Sequence, residues 1–244
     1  MTAPDIVYVI KPGDRNDELR YSLRSIARNL THRKVWIAGY TPKWCRNVES
    51  IPLEQMANKH RNARANLEAA ASRRGVSDPF VLFNDDMFLM QPHAQIPVLN
   101  LGPLDDVIDR HLKLGTGSYV TAMIEMRDLL KGLGIDDPLS YEGHVPMTFE
   151  KGKLLQVLGM RDLIPIKGRD RFHLRTLYGN MHQVGGIRVT DCKVYKGNEH
   201  GYRDWPMIST LDRMFMTSSA GRYIRDSYPK LCVYESGYRV KGTE

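Results

Sequence analysis

Between Asp5 and Met90 the sequence alternates short runs of strand-forming residues with helical segments, which confines the chain to a small set of α/β folds. The run "DIVYVI" (5–10) is β-branched and aromatic and stops at Lys11-Pro12-Gly13-Asp14, a turn signal. In "DELRYSLRSIARNL" (17–30), Leu19, Leu23, Ile26, Ala27 and Leu30 keep one helical face. Arg20, Arg24 and Arg28 recur every four residues on another face, and Asp17 and Glu18 suit the positive N-terminal end. "KVWIAGY" (34–40) reads as a second strand closed by Thr41-Pro42. "NKHRNARANLEAAASRRG" (58–75) is rich in helix formers and stops at Gly75. The apolar stretch "FVLFNDDMFLM" (80–90), bounded by Asp78-Pro79 and Gln91-Pro92, suits a strand covered on both faces. Strand, helix, strand, helix, strand predicts a mostly parallel central sheet with covering helices.

The 244 residues are enough for one large domain with a sizeable core, and a hydrophobic share of 42% with 26% charged residues is ordinary for a globular protein. A single domain is expected. No apolar run approaches the roughly 20 residues that span a bilayer, and the first residues lack a basic-then-apolar signal pattern. Membrane insertion is not expected, and the cytoplasm is the default location. Cys45, Cys192 and Cys232 are far apart with no Cys-x-x-Cys spacing, so they read as ordinary buried thiols rather than a disulfide or zinc framework. The net charge of +7 favours an anionic partner: nucleic acid, an acidic glycan or nucleotide phosphates.

Asp85 and Asp86, with Asn84, interrupt the apolar stretch, and an ionised carboxylate there is costly unless something pairs with it. In open α/β sheets ligands bind beyond the carboxyl ends of the strands, so the Lys11 to Arg15 turn and the Asn84 to Asp86 turn face one cleft. Hard oxygen ligands in that position suit Mg²⁺ or Mn²⁺, held by one or two carboxylates plus substrate phosphate oxygens. The competing reading is a turn cap or an arginine pair.

The segments "DIVYVIKPGD", "ELRYSLRSI", "KVWIAGYTPKW" and "FNDDMFL" together resemble the N-terminal half of the Stealth-type capsular polysaccharide phosphotransferases. They also resemble shorter relatives of that group, glycosyltransferases frequent in bacteriophages. "HVPM" (144–147), "RTLYGN" (175–180) and "STLDRMF" through "GRYIRDSYPKLCVYE" (209–235) are similar to its late blocks, while residues 92–140 carry almost none of the likeness. The resemblance implies a GT-A-like nucleotide-diphospho-sugar transferase fold over residues 1–244. In it, residues 1–92 form the nucleotide and metal half, 93–235 the acceptor half and 236–244 a polar tail. Asp86 would be the main metal ligand and Asp85 a second ligand or ribose contact, with asparagine at position 84 departing from the simplest Asp-x-Asp pattern. A phage-encoded enzyme of this kind would work in the host cytoplasm.

Around that centre Lys11 and Asp14 are placed to meet the nucleoside, and Arg20 to reach phosphate from the following helix. Lys59, Arg61, Asn62, Arg64 and Asn66 offer cationic and amide groups just upstream of the metal strand. His144 in "EGHVPM" is a candidate proton shuttle, acceptor contact or metal ligand, and Arg175 a candidate anion clamp. His182 and His200 are possible late metal ligands alongside His144. Asp204 and Asp212 are late carboxylates suited to a general base or an acceptor contact, although Asp212 also suits a helix cap. Trp205 offers a stacking face or a core side chain.

Three functions compete on these residues. The first is transfer of a sugar from a nucleotide-sugar donor to a hydroxyl acceptor: a hydroxylated base in DNA, a phage structural protein or a glycan. The second is sugar 1-phosphate transfer as in Stealth enzymes, against which stands Lys11 in "VIKPGD", where that group resembles "WVDGSD". The third is a noncatalytic nucleic-acid-binding module, supported by net charge alone.

Overall fold

The computed structural model describes residues 3–13, 15–160, 172–195 and 201–238, with only the backbone at Asp212. Asp14 and His200 therefore lie outside the described residues, as does the side chain of Asp212. In chain order the elements are β1 (Asp5–Ile10), α1 (Asp17–Asn29), β2 (Val35–Gly39), β3 (Glu49–Pro52), α2 (Lys59–Ser72), β4 (Phe80–Phe83) and β5 (Met87–Leu89). Then come β6 (Leu99–Asn100), α3 (Leu104–Leu112), α4 (Ser118–Gly132), β7 (Met147–Phe149), α5 (Lys151–Met160), α6 (Leu174–Met181) and β8 (Ile187–Arg188). The chain closes with β9 (Lys193–Val194), β10 (Met207–Thr210), α7 (Asp212–Thr217) and α8 (Ser219–Ser227). Two compact units emerge: one from the chain up to Ile96, His144–Thr148 and the chain from Cys192, the other from Pro97–Gly143 and Phe149–Asp191.

The first unit carries the expected α/β architecture. Its five-stranded sheet has the order β3-β2-β1-β4-β7, and β1 pairs in parallel with both β2 and β4, as β2 does with β3. Every residue of β2 and β4 is buried, which is why those strands read as unbroken apolar runs rather than alternating ones. At the amino end of β1, Asp5 is fully buried and accepts from both Arg33 nitrogens (2.8 and 2.6 Å), the Trp36 indole (2.8 Å) and the Ser77 amide (2.9 Å). A carboxylate satisfied on every side in this way is tolerated in a core.

One expectation changes. The stretch "FVLFNDDMFLM" is not one strand: β4 ends at Phe83, the chain turns over Asn84–Asp86, and β5 joins a second sheet of order β5-β10-β9. Here β5 runs antiparallel to β10, and β10 runs parallel to β9. The carboxylates interrupt the apolar run because that is where the chain changes sheets. A buried cluster of Phe88, Val194, Tyr202, Ile208, Phe215, Ala220, Ile224 and Tyr228 packs behind the second sheet, with Trp205 against it, so this tryptophan is a core side chain.

Helix α1 locks β5 in place by a third stripe that neither its apolar nor its arginine periodicity discloses. Ser22 donates to Met87 O (2.6 Å), Ser25 accepts from Leu89 N (3.1 Å) and Asn29 donates to Leu89 O (2.7 Å). These side chains supply hydrogen bonds along the edge of β5 that β10 leaves unpaired. The arginine stripe is solvated only in part, with Arg28 exposed and Arg20 half-buried. Arg24 is buried and donates to both Glu235 carboxylate oxygens (2.7 and 2.8 Å) and to Tyr228 O (2.9 Å). Part of the expected polar tail is ordered with it, since Ser236 N donates to Trp44 O (2.8 Å).

The second unit is mainly helical. It contains α3, α4, α5 and α6 with a short parallel pair of β6 and β8. Among the described residues no helix is long and apolar enough to cross a membrane.

Candidate functional site

The carboxyl ends of β1, β2 and β3 open onto a cleft of about 510 Å³ lined by Pro12, Gly39, Tyr40, Thr41, Ser50, Pro52, Leu53 and Gln55. Gly39 has φ +103°, a left-handed conformation, and a Cβ there would run into the Ile10 carbonyl oxygen and the Asn66 side chain. Only glycine lets β2 end so close to β1 and α2. Helix α2 enters at the same end of the sheet. Asn66 is buried and exchanges amide contacts with Gln55 (3.1 and 3.5 Å), fixing one wall of the cleft. None of Tyr40, Thr41, Ser50 or Gln55 was singled out as a site residue in the sequence, where Tyr40 and Thr41 read as the end of a strand and Ser50 and Gln55 as loop.

The Asn84–Asp86 turn lies at the carboxyl end of β4, beside β1, as the sequence predicts. It is braced from below: Met87 N donates to Asn84 O (3.3 Å), and Ser22, which holds Met87 O, is bonded to the buried Tyr8 hydroxyl (2.8 Å). Burial pushes the Tyr8 phenol well above its ordinary range; the Ser22 hydrogen bond opposes that shift and the nearby negative charge of Asp85 adds to it. Tyr8 therefore stays a neutral strut.

Asp86 is largely buried and its two oxygens differ. Oδ2 pairs with Lys193 Nζ at 2.5 Å, the two side chains being 17% and 10% exposed. Oδ1 is buried with no hydrogen-bond partner. The main chain of Asp86 is held as well, since Thr210 N donates to its carbonyl (3.2 Å) while the Thr210 hydroxyl donates to the buried Glu18 (2.8 Å). Lys193 was missed because it is separated from Asp86 by 107 residues and no local pattern marks it.

Mg²⁺ characteristically takes one or two protein carboxylates and completes its shell with water and substrate phosphates. Two adjacent carboxylates at a strand end, one with an orphaned buried oxygen, fit that donor set. Among the described residues no group of three or more His, Cys, Asp or Glu side chains gathers into a cage, so any cation here would depend on substrate oxygens.

The other expected residues fall into three places. Lys11 is exposed just after β1, Arg61 is exposed on the first turn of α2, and Arg64 is half-buried one turn on, all at the cleft end of the sheet. Asn62 is used locally: its amide accepts from Met56 N (2.8 Å) and donates to Met56 O (2.6 Å), closing the loop before α2. Arg20 donates to Glu235 (3.3 Å) and lies 4.0 Å over the Trp44 ring, so its guanidinium is engaged with protein groups. His144 belongs to the first unit, and its carbonyl accepts from Cys192 Sγ (3.1 Å), which places it beside the residue preceding Lys193.

Arg175 and His182 belong to the second unit. Arg175 donates to Gly143 O (3.1 Å) and helps hold the Glu142 carboxyl charged. Burial would raise that carboxyl, but His173 at 3.8 Å, Arg175 and the Thr176 N–H (3.0 Å) together bring it below the ordinary glutamate value. The guanidinium expected as an anion clamp is thus engaged with protein groups. His182 Nε2 contacts Lys153 O (3.2 Å) and its ring packs edge-on against Tyr178, a structural setting. Asp204 is exposed on a single turn of 3-10 helix, and α7 begins at Asp212 with Leu211 as its uncapped preceding residue. All three cysteines are buried free thiols.

No protein-family model matches this chain, and no curated protein matches it. Solved structures similar to it include two of the glycosyltransferase GlyE of Streptococcus pneumoniae TIGR4. The apo form is 8% identical with a TM-score of 0.39, covering 78% of this chain and 45% of that one. The second is 8% identical with a TM-score of 0.40, covering 94% of this chain and 50% of that one. This chain spans about half the length of GlyE, and at that degree of likeness its function has to be argued from its own side chains.

Proposed function

We propose that this protein is a divalent-metal-dependent glycosyltransferase that moves a sugar from a nucleotide-sugar donor to a hydroxyl acceptor. The observation that carries the reading is the Asp85–Asp86 turn at the carboxyl end of β4, with Asp86 Oδ1 buried and unpartnered at the same sheet end as the β1–β3 cleft. The cleft takes the nucleoside, lined by Tyr40 and by the Thr41 and Ser50 hydroxyls, which bond each other at 2.8 Å, while Gln55, engaged with Leu53 O and Asn66, shapes its wall. Asp86, with Asp85, would hold Mg²⁺ or Mn²⁺ against the diphosphate; such an ion, when bound, neutralises charge that grows on the leaving group as the sugar bond breaks.

Lys11, Arg61 and Arg64 line the approach with positive charge and draw the anionic donor in. His144, whose carbonyl is held by Cys192 next to Lys193, is a candidate for moving a proton from the acceptor hydroxyl, and Asp212 is a second. For the acceptor, the net charge of +7 favours an anionic macromolecule, and DNA carrying a hydroxylated base fits it better than a phage protein or neutral glycan. A paired base would have to be flipped out or met in the wide groove.

The test is a thermal-shift panel of nucleoside diphosphates and nucleotide sugars, with and without Mn²⁺, on wild type and Asp86→Ala. Binding to the folded state raises the apparent Tm by mass action. One nucleotide should stabilise wild type only when Mn²⁺ is present, and Asp86→Ala, with a lower starting Tm because Lys193 loses its partner, should show no such shift. Turnover retained by folded Asp86→Ala would remove the assignment. A nucleoside monophosphate product in place of a diphosphate would transfer the protein to the sugar 1-phosphate class.

A further inference from the structure

The pairing of Lys193 with Asp86 is unusual for a residue meant to hold a metal. The ammonium occupies one oxygen of the carboxylate at 2.5 Å, in a setting where both side chains are nearly covered. Its neighbours are also incomplete. Ser209 sits opposite both Lys193 and Met87 in the second sheet, is fully buried, and its hydroxyl oxygen has no hydrogen-bond partner. A buried ion pair flanked by two orphaned oxygens, Asp86 Oδ1 and Ser209 Oγ, is not a finished structural bridge; structural pairs satisfy their remaining lone pairs.

From this we infer that Lys193 is a tethered counter-cation that exchanges partners: it neutralises Asp86 in the donor-free protein and moves onto the donor's diphosphate when metal and nucleotide enter. The inference deepens the proposed donor site and rests on it. A lysine suits the exchange because its charge is compact and its four-carbon stem flexible, so Nζ can swing between two anions without moving β9. A divalent ion and the ammonium compete for the same carboxylate, and neither is stable close to the other unless a polyanion lies between them. The diphosphate is that polyanion. It follows that Lys193 opposes binding of metal alone and favours binding of metal together with diphosphate, which couples the two and discourages an occupied metal site without donor.

Free Mn²⁺ measured by electron paramagnetic resonance, and pyrophosphate binding measured by calorimetry, separate these effects in wild type and Lys193→Met. The variant should bind Mn²⁺ alone at least tenfold more tightly, and its Mn²⁺-loaded form should bind pyrophosphate at least tenfold more weakly. Lys193→Arg should restore both values toward wild type. Removing the ammonium alone strands a carboxylate and can unfold the protein, so Asp86→Asn and Asp86→Asn/Lys193→Met provide a second comparison. Metal-free pyrophosphate should bind the single variant, whose ammonium no longer faces the Asp86 charge, at least tenfold more tightly than the double variant. Unchanged affinities in folded Lys193→Met, or equal pyrophosphate affinity in the second pair, would overturn the exchange and leave an ordinary ion pair. If wild type binds neither Mn²⁺ nor pyrophosphate, the donor-site reading itself falls and the exchange falls with it.

Discussion

Glu235 shows how a single side chain near the end of the chain can secure its beginning. Its carboxylate is unexposed and takes hydrogen bonds from Arg24, Arg20 and the Cys232 N–H (3.1 Å). Burial by itself would raise the acid, but these donors hold it below the ordinary glutamate value of 4.5. A carboxyl whose folded value is depressed stabilises the fold fully above its unfolded value and stops doing so as pH falls through the folded one. Denaturation midpoints measured from about pH 6 down to pH 3 should therefore fall in wild type and fall less in Glu235→Gln. At neutral pH that variant should already be less stable by roughly 3 kcal/mol, since breaking a buried pair strands the arginine charge. An equal acid response in both proteins would move the titration to other carboxylates. None of this was legible locally, because Arg24 and Glu235 are 211 residues apart.

At the scale of the element, α1 reads differently from its sequence pattern. The apolar face was visible in the spacing of Leu19, Leu23 and Ile26, all fully buried, and the helix covers 17–29 against an expected 17–30. The serine and asparagine stripe was not visible, since Ser22, Ser25 and Asn29 look like ordinary helix-surface residues until β5 is laid beside them. Asn29→Ala should leave Leu89 O to the Tyr228 hydroxyl alone and lower stability by about 1–3 kcal/mol. Through β5 it should also weaken nucleotide binding, whereas a variant at exposed Arg28 should change stability little. Urea melts of the two variants decide this. The missed strand β3 has a related cause: "ESIP" is too short and polar to be recognised without its partner β2. Helix α2 and the polar break at Asn84–Asp86 were visible because their signals are local, helix formers with a glycine stop and two carboxylates in an apolar run, but that the break is a turn between two sheets was not.

For the whole molecule, the parallel α/β core was readable because strand and helix periodicities differ, and the rule for strand ends is what directs attention to the carboxyl ends of β1–β4. The division into two units was not, since the first unit is assembled from three separate stretches of chain. Net charge is the whole-molecule property with the clearest consequence. If DNA is the acceptor, binding to a duplex fragment should weaken at least tenfold between about 50 and 200 mM salt and be unchanged in Asp86→Ala. Salt-independent binding, or none, would favour a protein or glycan acceptor.

The separation of Asp86 from Lys193 also has a temporal side. During synthesis the carboxylate turn leaves the ribosome 107 residues ahead of its counter-charge, with the whole of the second unit made in between. Contacts that distant in sequence form late, because the intervening chain must be closed into a loop first. Until then Asp86 keeps its water. The proposed donor site is consequently among the last parts of the protein to mature, and a nascent or truncated chain ending before β9 would have a sheet with Asp86 unbalanced.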